Sequence, residues 1–211
     1  MGQEIRKLIL DGVPPHNITI IDIHDQYWNY GKRLFLDAEF INHNQLRTIF
    51  ADLSKDSSML VDIHDLATNQ YQYALLMAVV DCLSENEVIV FLRNTFQLLK
   101  SDSKAKLIGW TVGKDTEGST TTTLQDGCAS NIKTPKGDAL RFLHTTKSLQ
   151  HLLIEIGFVN ITIHEEPLGD SLEKHQTRGY PLSVVLNNSA IVVASLSVQG
   201  KYILLLKDLD R

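Results

Sequence analysis

The sequence predicts an α/β fold with a mainly parallel sheet and an antiparallel edge. Three observations carry that expectation. Short apolar runs alternate with longer stretches of helical periodicity, the order that builds parallel sheets from strand–helix–strand units. Two strand-like runs then follow each other near the end of the chain, with Gly200 between them, as antiparallel neighbours do. The first periodic segment is a helix, so the sheet is expected to lack the strand with which a nucleotide-binding α/β domain normally opens.

The elements follow in order. Gln3–Leu10 is a helix, with Ile5, Leu8 and Ile9 on one face, closed by Asp11-Gly12 and by Pro14-Pro15. Asn17–Ile23 is a compact apolar strand. Asp25 caps a helix running to about Asp37, with Tyr27, Tyr30, Leu34 and Phe35 on its inner side. Leu46–Ala51, closed by Asp52, and Met59–Ile63, closed by His64-Asp65, are the next strands. A helix is expected over Asn69–Leu83, and another from the cap Ser84 to Lys100, where Glu87 completes a capping box. Lys106–Val112 is a strand. The polar stretch Gly113–Leu143, with four successive threonines, reads as a lid or insertion. Thr145 or Thr146 opens a helix to Ile156, ended by Gly157, and Phe158–His164 is a strand. A polar loop holding Pro167 and Pro181 leads to strands at Ser189–Val198 and Lys201–Leu206, the second lying in an extra C-terminal segment, 201–211.

The 211 residues suit a single domain with a sizeable core. With 43% hydrophobic and 21% charged residues the composition is that of an ordinary globule. The net charge of −5 and the lack of a basic run argue against nucleic acid as a partner. No apolar run is long enough to span a membrane, and no signal-peptide pattern opens the chain. Cys82 and Cys128, far apart in sequence, predict free thiols and a cytoplasmic protein. No residues show metal-ligand spacing.

Several stretches together point to a family. Lys7–Phe35, Ile49–Leu53 (IFADL), Phe91–Lys100 (FLRNTFQLLK) followed by the strand at Lys106, and Leu153–Ile163, where a helix ends in Gly-Phe and leads into a strand, occur in a familiar order. In this the chain resembles class I S-adenosylmethionine-dependent methyltransferases, closest to the branch found in fungal terpenoid and polyketide pathways. The matches run from about Gly2 to Val198. The resemblance implies a Rossmann-like methyltransferase fold. It also implies that the acidic residue at the end of the second strand of that fold, Asp22 here, holds the ribose hydroxyls, and that Asp52 lies near the adenine. Each also fits a plainer role as a helix cap or solvated carboxylate. The family's first motif, a strand and a glycine-rich turn that wraps the methionine half of the cofactor, has no counterpart beyond Gly2. Backbone approach to a ligand needs such glycines. The expectation is therefore that no cofactor is used and that S-adenosylmethionine has no place.

In the family the first strand is central, so its loss is expected to leave two unpaired strand edges, which proteins normally pair or cover. The flanking strands closing up, the surplus strand at Tyr202–Leu206, or a second subunit would each repair the gap, and a homodimer is the expected outcome.

Ligands of open α/β sheets bind beyond the carboxyl ends of the strands. That rule selects His24-Asp25, Asp52, His64-Asp65, Trp110-Thr111 and His164, with the lid bringing Arg141 and His144 to the same face. His64, beside Asp65, is placed for acid–base work, against the plainer role of satisfying backbone groups. Arg141 and His144 are expected to polarise a carbonyl or carboxylate, against a solvated lid. Trp110 and Thr111 form a substrate wall, and Tyr71 or Tyr73 presents a hydroxyl, although both tyrosines and the tryptophan also read as packing residues. The leading expectation is a non-methylating cyclase or isomerase, of the pericyclic, Diels–Alder type, acting on a hydrophobic polyketide or terpenoid intermediate. The alternatives are a methyltransferase with an unconventional site and a non-catalytic partner of another pathway enzyme.

Overall fold

The computed structural model describes residues 2–43, 46–55, 70–77, 79–102, 104–113, 120–123, 140–165, 180–186 and 202–207. Residues 18–22, Ile-Thr-Ile-Ile-Asp, form strand β1, and every one of them is buried. A strand apolar on both faces belongs between two helical layers, and that is where β1 lies. Helices α1 (Gln3–Leu10), α2 (Asp25–Phe35) and α3 (Ala38–His43) cover one face. Ile5, Trp28 and Ile41 meet Ile18 and Ile20 there in one apolar cluster. Helices α4 (Glu85–Leu98) and α5 (Thr146–Ile156) cover the other. Val88, Phe91, Leu92, Leu149 and Leu153 pack there with Ile21, Leu76 and Leu107.

The remaining strands are β2 (Arg47–Phe50), β3 (Tyr73–Met77), β4 (Lys106–Gly113), β7 (Ile161–Glu165), β8 (Tyr180–Leu186) and β9 (Tyr202–Leu206). With β1 they form a seven-stranded sheet in the order β2-β1-β9-β3-β4-β8-β7. β1, β2, β3, β4 and β7 run one way, and β8 and β9 run against them. The fold is Rossmann-like and mixed. An antiparallel strand does lie near one edge, as expected, but a second occupies the centre. Within the stretch read as a lid, β5 (Thr120–Thr123) pairs antiparallel with β6 (Leu140–Leu143) in a separate two-stranded sheet.

The position of β9 decides the architecture. It pairs along its whole length with β1 (Ile18↔Leu206 to Asp22↔Tyr202) and with β3 (Tyr73↔Leu206 to Met77↔Tyr202). Of the three expected repairs, the structure uses the surplus strand, and uses it between the two edges instead of over one of them. The expectation of a homodimer rested on those edges being open, and both are paired within one chain.

Three expectations about elements change. Residues 73–77, expected within a helix, are strand β3 followed by a 3-10 turn at Val80–Cys82. Tyr-Ala-Leu-Leu-Met is apolar enough to be read either way. What settles it is burial on both faces: Ala74 and Leu76 join one cluster, while Tyr73, Leu75 and Met77 pack against the other. On α2 the inner residues are Trp28 and Gly31, whereas Tyr27, Tyr30 (53% exposed), Leu34 (67%) and Phe35 turn outward. Arg6 of α1 explains this choice of face: it lies over the rings of Trp28 and Phe35 and forms an ion pair with Asp37. The strand expected at Ser189–Val198 and the one at Met59–Ile63 lie outside the described residues. β8 instead takes residues from the expected polar loop. Pro181 is tolerated there because it lies one residue beyond the Glu165↔Leu182 end of the β7–β8 ladder and faces only Val112 of β4.

At α2 the cap position falls on His24, with Asp25, the expected cap, as the first helical residue. The Ser84–Glu87 capping box opens α4, and the Ser84 backbone N–H holds the Glu87 carboxyl below the usual carboxylate range. Gly157 ends α5 in the left-handed region at φ 117°.

Two substitutions test the central placement of β9 and the tight β3–β4 contact. Leu205 is fully buried, so Leu205→Ala should cost about 2–5 kcal/mol in a denaturant titration, while Leu10→Ala on the surface should cost almost nothing. Equal, small effects at both positions would contradict a central β9. At Gly109 a Cβ would overlap the Leu76 carbonyl oxygen and approach Leu76 Cβ to 2.8 Å, so Gly109→Ala should lower stability by about 1–3 kcal/mol.

Candidate functional site

The carboxyl ends of β1, β2, β3 and β4 converge on one edge of the sheet, where ligands of open α/β sheets bind. β1 ends at Asp22, which is only 7% exposed. Its Oδ1 accepts the backbone N–H of His24 at 2.9 Å, and its carbonyl accepts from Ala51 N, tying in the exit of β2. Burial raises the Asp22 pKa, against the opposing pull of the His24 N–H. The Ile23 N–H and the neighbouring His24 side chain also favour its charged form, more weakly than burial opposes it. Asp52, after β2, is different. Its Oδ1 accepts from both Ser54 N (3.0 Å) and Ser54 Oγ (2.6 Å), and Lys55 Nζ lies 3.7 Å from Oδ2. Asp52 thus closes its own turn, the plainer of its two expected roles. His24 and Asp25 are exposed at the start of α2.

The turn after β3 brings a residue that the sequence reading missed. Asp81 is buried, and its Oδ1 accepts from Thr111 Oγ1 of β4 at 3.2 Å, while Cys82 Sγ lies 3.6 Å from Oδ2. The available signal was an acid closing an apolar run, Met77 to Asp81, as Asp22 closes β1. Reading that run as helix hid it. Thr111 lies at this edge as expected. Trp110, its neighbour, points to the opposite face and packs against the cluster of Ile5, Ile20 and Trp28. The Trp110 indole Nε1 is buried with no hydrogen-bond partner among the described residues.

β6 enters the same region through Phe142 N, which donates to Leu83 O just past the Asp81 turn. Two residues on, His144 precedes α5 and is 5% exposed, its ring edge-on to Phe142 at 4.6 Å. Its Nδ1 lies 3.2 Å from Ser148 Oγ. That hydroxyl already accepts from Thr145 N (2.9 Å) and lies 3.2 Å from Thr145 O. A hydroxyl has one hydrogen. Thr145 O also accepts from Leu149 N at 2.9 Å, so the Ser148 hydrogen can serve either Thr145 O or the imidazole, and the ring carries its own hydrogen on Nδ1 or on Nε2 accordingly. Nε2 is buried and unpartnered among the described residues. Burial pushes the His144 pKa down to about 4, so the ring stays neutral near pH 7.

Other expected site residues are scattered. Tyr71 is fully buried at the amino end of β3, its hydroxyl donating to Thr19 Oγ1 at 3.3 Å. Tyr73 begins β3 at that same end, opposite Lys106. Both are packing residues on the far side of the sheet from Asp22. Arg141 sits in β6 opposite Thr122. His164 lies exposed on β7. His64 and Asp65 lie outside the described residues. Among the described residues no cluster of His, Cys, Asp or Glu could hold a metal ion, and no helix is long and apolar enough to cross a membrane.

The His144 shift has a measurable consequence. Its folded pKa lies below its ordinary value of 6.5, so the unfolded chain binds the extra proton first. Stability should therefore fall as pH drops from 6.5 toward 4, by at most about 1.4 kcal/mol per unit from this group. Asp22, with a raised pKa, contributes in the opposite sense as pH rises, so the comparison must be with a variant that retains it. The stability of the native protein relative to His144→Phe should therefore fall as the pH drops from 6.5 toward 4 and level off below about 4; denaturant midpoints across pH 3.5–7 measure it, and a pH-independent difference would contradict the burial of a neutral His144.

No family model matches the chain. A 107-residue stretch, 51% of the chain, is 34% identical to methyltransferase ausD of Penicillium brasilianum and 32% identical to methyltransferase trt5 of Aspergillus terreus. That stretch covers only 37% of either relative, so the chain corresponds to about a third of their length. Among solved structures, the 1,6-didemethyltoxoflavin-N1-methyltransferase of Burkholderia thailandensis, with bound 1,6-didemethyltoxoflavin and S-adenosylhomocysteine, superposes with a TM-score of 0.56 at 12% identity, over 89% of this chain and 67% of that one. An S-adenosylmethionine-dependent methyltransferase of Mesorhizobium loti gives 0.54 at 14% identity, over 88% and 86%. These findings overturn the expectation that no cofactor is used: the relatives are methyltransferases, and a structural neighbour holds the demethylated form of S-adenosylmethionine. The expectation failed physically because it weighed one glycine turn alone, whereas the sheet keeps its central slot filled and its buried acid at the carboxyl end of β1. In fold and in sequence relatives alike, this chain is a class I methyltransferase-like protein.

Proposed function

We propose that this chain serves S-adenosylmethionine-dependent methyl transfer to a hydrophobic small molecule of fungal secondary metabolism. The observation that carries the reading is Asp22, a desolvated carboxylate at the carboxyl end of β1. A carboxylate offers about four lone-pair sites, and the His24 and Ile23 backbone N–H groups take up only part of them. Two neighbouring ribose hydroxyls fit that deficit, because donation to the charged form offsets the cost of burying it. Asp52, engaged with Ser54, has less capacity left for the adenine. When bound, the cofactor supplies an electrophilic methyl group. The residues of this chain bind and orient: Asp22 holds the ribose, while the Asp81–Thr111 pair and His144 lie where the acceptor would meet it. Cofactor-independent ring closure, the leading sequence expectation, has no comparable observation in its favour.

Isothermal titration with S-adenosylhomocysteine tests the reading. The native chain should bind it at micromolar levels. Asp22→Asn should weaken binding about tenfold or more, since a hydrogen bond to a charged acceptor is lost, without lowering the thermal midpoint. Absence of binding to the native protein sinks the proposal, and unchanged affinity in the variant removes Asp22 from it.

A further inference from the structure

Helix α2 carries apolar side chains on two faces. Trp28 and Gly31 turn inward, while Tyr27, Tyr30 and Leu34 are 36%, 53% and 67% exposed. Their spacing of three and four residues places these three on one side of the helix as a second apolar stripe. A helix that is apolar on more than its core-facing stripe normally has that surface covered as well. Leu36, just past the helix end, is 90% exposed and sits in the left-handed region at φ 54°. Glycine or asparagine usually takes such a place, because a Cβ crowds the backbone there. Nothing in the helix end itself calls for a leucine.

The apolar surface continues onto the sheet. β2 is the outermost strand beside β1, and Phe50 at its end pairs with Asp22. Paired residues share a sheet face, so Phe50 lies on the face that α2 covers, and it is 47% exposed. Ile23, between Asp22 and the start of α2, is 50% exposed. A stable interface takes about 800 Å² from each partner, of which about 500 Å² is apolar. Half-exposed aromatic residues leave roughly 100 Å² apiece in water. Tyr27, Tyr30 and Phe50, with Ile23, Leu34 and Leu36, therefore supply the apolar part of an interface of that size, more than the few hundred Å² that a monomer ordinarily leaves uncovered.

The pattern also says what covers it. The stripe is nearly symmetric about Tyr30, with Tyr27 three residues before and Leu34 four after. Two copies of α2 laid antiparallel about a twofold axis at Tyr30 bring Leu34 onto the partner's Tyr27, and each Tyr30 onto its own copy, the self-matching that an isologous contact requires. Along the exposed flank of the stripe, Arg33 meets the partner's Gln26, so no like charges face each other. With Arg33 as the one basic residue on that flank, the face lacks the cationic cluster that an anionic membrane surface attracts. We propose that this face of α2 is the interface of a homodimer, with the two α2 helices packed antiparallel across a twofold axis at Tyr30. The proposal rests on none of the residues assigned to the cofactor and stands apart from the methyl-transfer reading.

Analytical ultracentrifugation of the full chain tests it. The native chain should be a dimer at about 10 μM. Tyr30→Glu, which sets two carboxylates against each other at the axis, should weaken association roughly a hundredfold or more, as should Leu34→Glu. Ile154→Glu, at a 55% exposed position on α5 across the sheet, should leave it unchanged. Tyr30→Cys should form a disulfide-linked dimer on air oxidation beyond anything the native chain forms, because the two copies of a residue on the axis are neighbours. That crosslink gives an answer even if the glutamate variants fold poorly. A native chain that stays monomeric at about 100 μM, with or without adsorption to phosphatidylserine vesicles, overturns the proposal. So does a dimer that survives Tyr30→Glu, or a Tyr30→Cys chain that does not crosslink.

Discussion

Backbone amide and carbonyl groups buried between two helical layers must be paired, and β1 and β3 lie between such layers. Neither is next to the other in the sheet, so each presents a full edge to the slot between them. β9 satisfies both edges, with five residue pairs on each side. Everything else in the fold takes its place from that double ladder. The Ile5–Trp28 cluster rests on one side of it, and the Val88–Leu153 cluster on the other. Because β9 runs opposite to its neighbours, it begins at their carboxyl ends, with Tyr202 in register with both Asp22 and Met77. The strand that closes the sheet therefore starts at the edge where the candidate site lies.

That edge gathers polar groups under uneven demand. Asp22 is buried and held above the ordinary carboxylate range by desolvation. His144 is buried and held well below the ordinary imidazole range by the same cause. Desolvation opposes the charged form of either group, so one physical effect moves an acid and a base in opposite directions. Asp81 meets burial differently, by accepting the Thr111 hydroxyl. Two atoms remain unsatisfied among the described residues, Trp110 Nε1 and His144 Nε2. The Trp110 ring and Thr111 alternate across the sheet, so the unsatisfied donor stands on the face opposite the Asp81–Thr111 pair.

The chain corresponds to about a third of the length of the fungal methyltransferases it resembles. The correspondence of fold is broader than that of sequence. Solved methyltransferases superpose over nearly nine-tenths of this chain at 12–14% identity. What is shared is the arrangement of strands whose carboxyl ends form a binding edge, and that arrangement tolerates an antiparallel strand in its central slot.

The residues by themselves determined the features with short-range causes. Ile18–Ile21 is apolar but for Thr19, and such a compact run, closed by an acid, reads as a buried strand. Ser84 with Glu87, and Thr145 opening a helix that Gly157 ends, mark helix boundaries through hydrogen bonds and φ angles that need no distant partner. The acid at the end of β1 was legible for the same reason, as a carboxylate closing an apolar run. The tertiary structure alone decided which face of α2 turns inward, because Arg6 and the ring of Trp28 come from elements that meet only in the fold. It alone decided that residues 73–77 are strand, that Tyr71 is core, and that Tyr202–Leu206 stands at the centre of the sheet. Each of those depends on pairing or packing between residues tens of positions apart, and periodicity along the chain carries no information about which distant edge is left open.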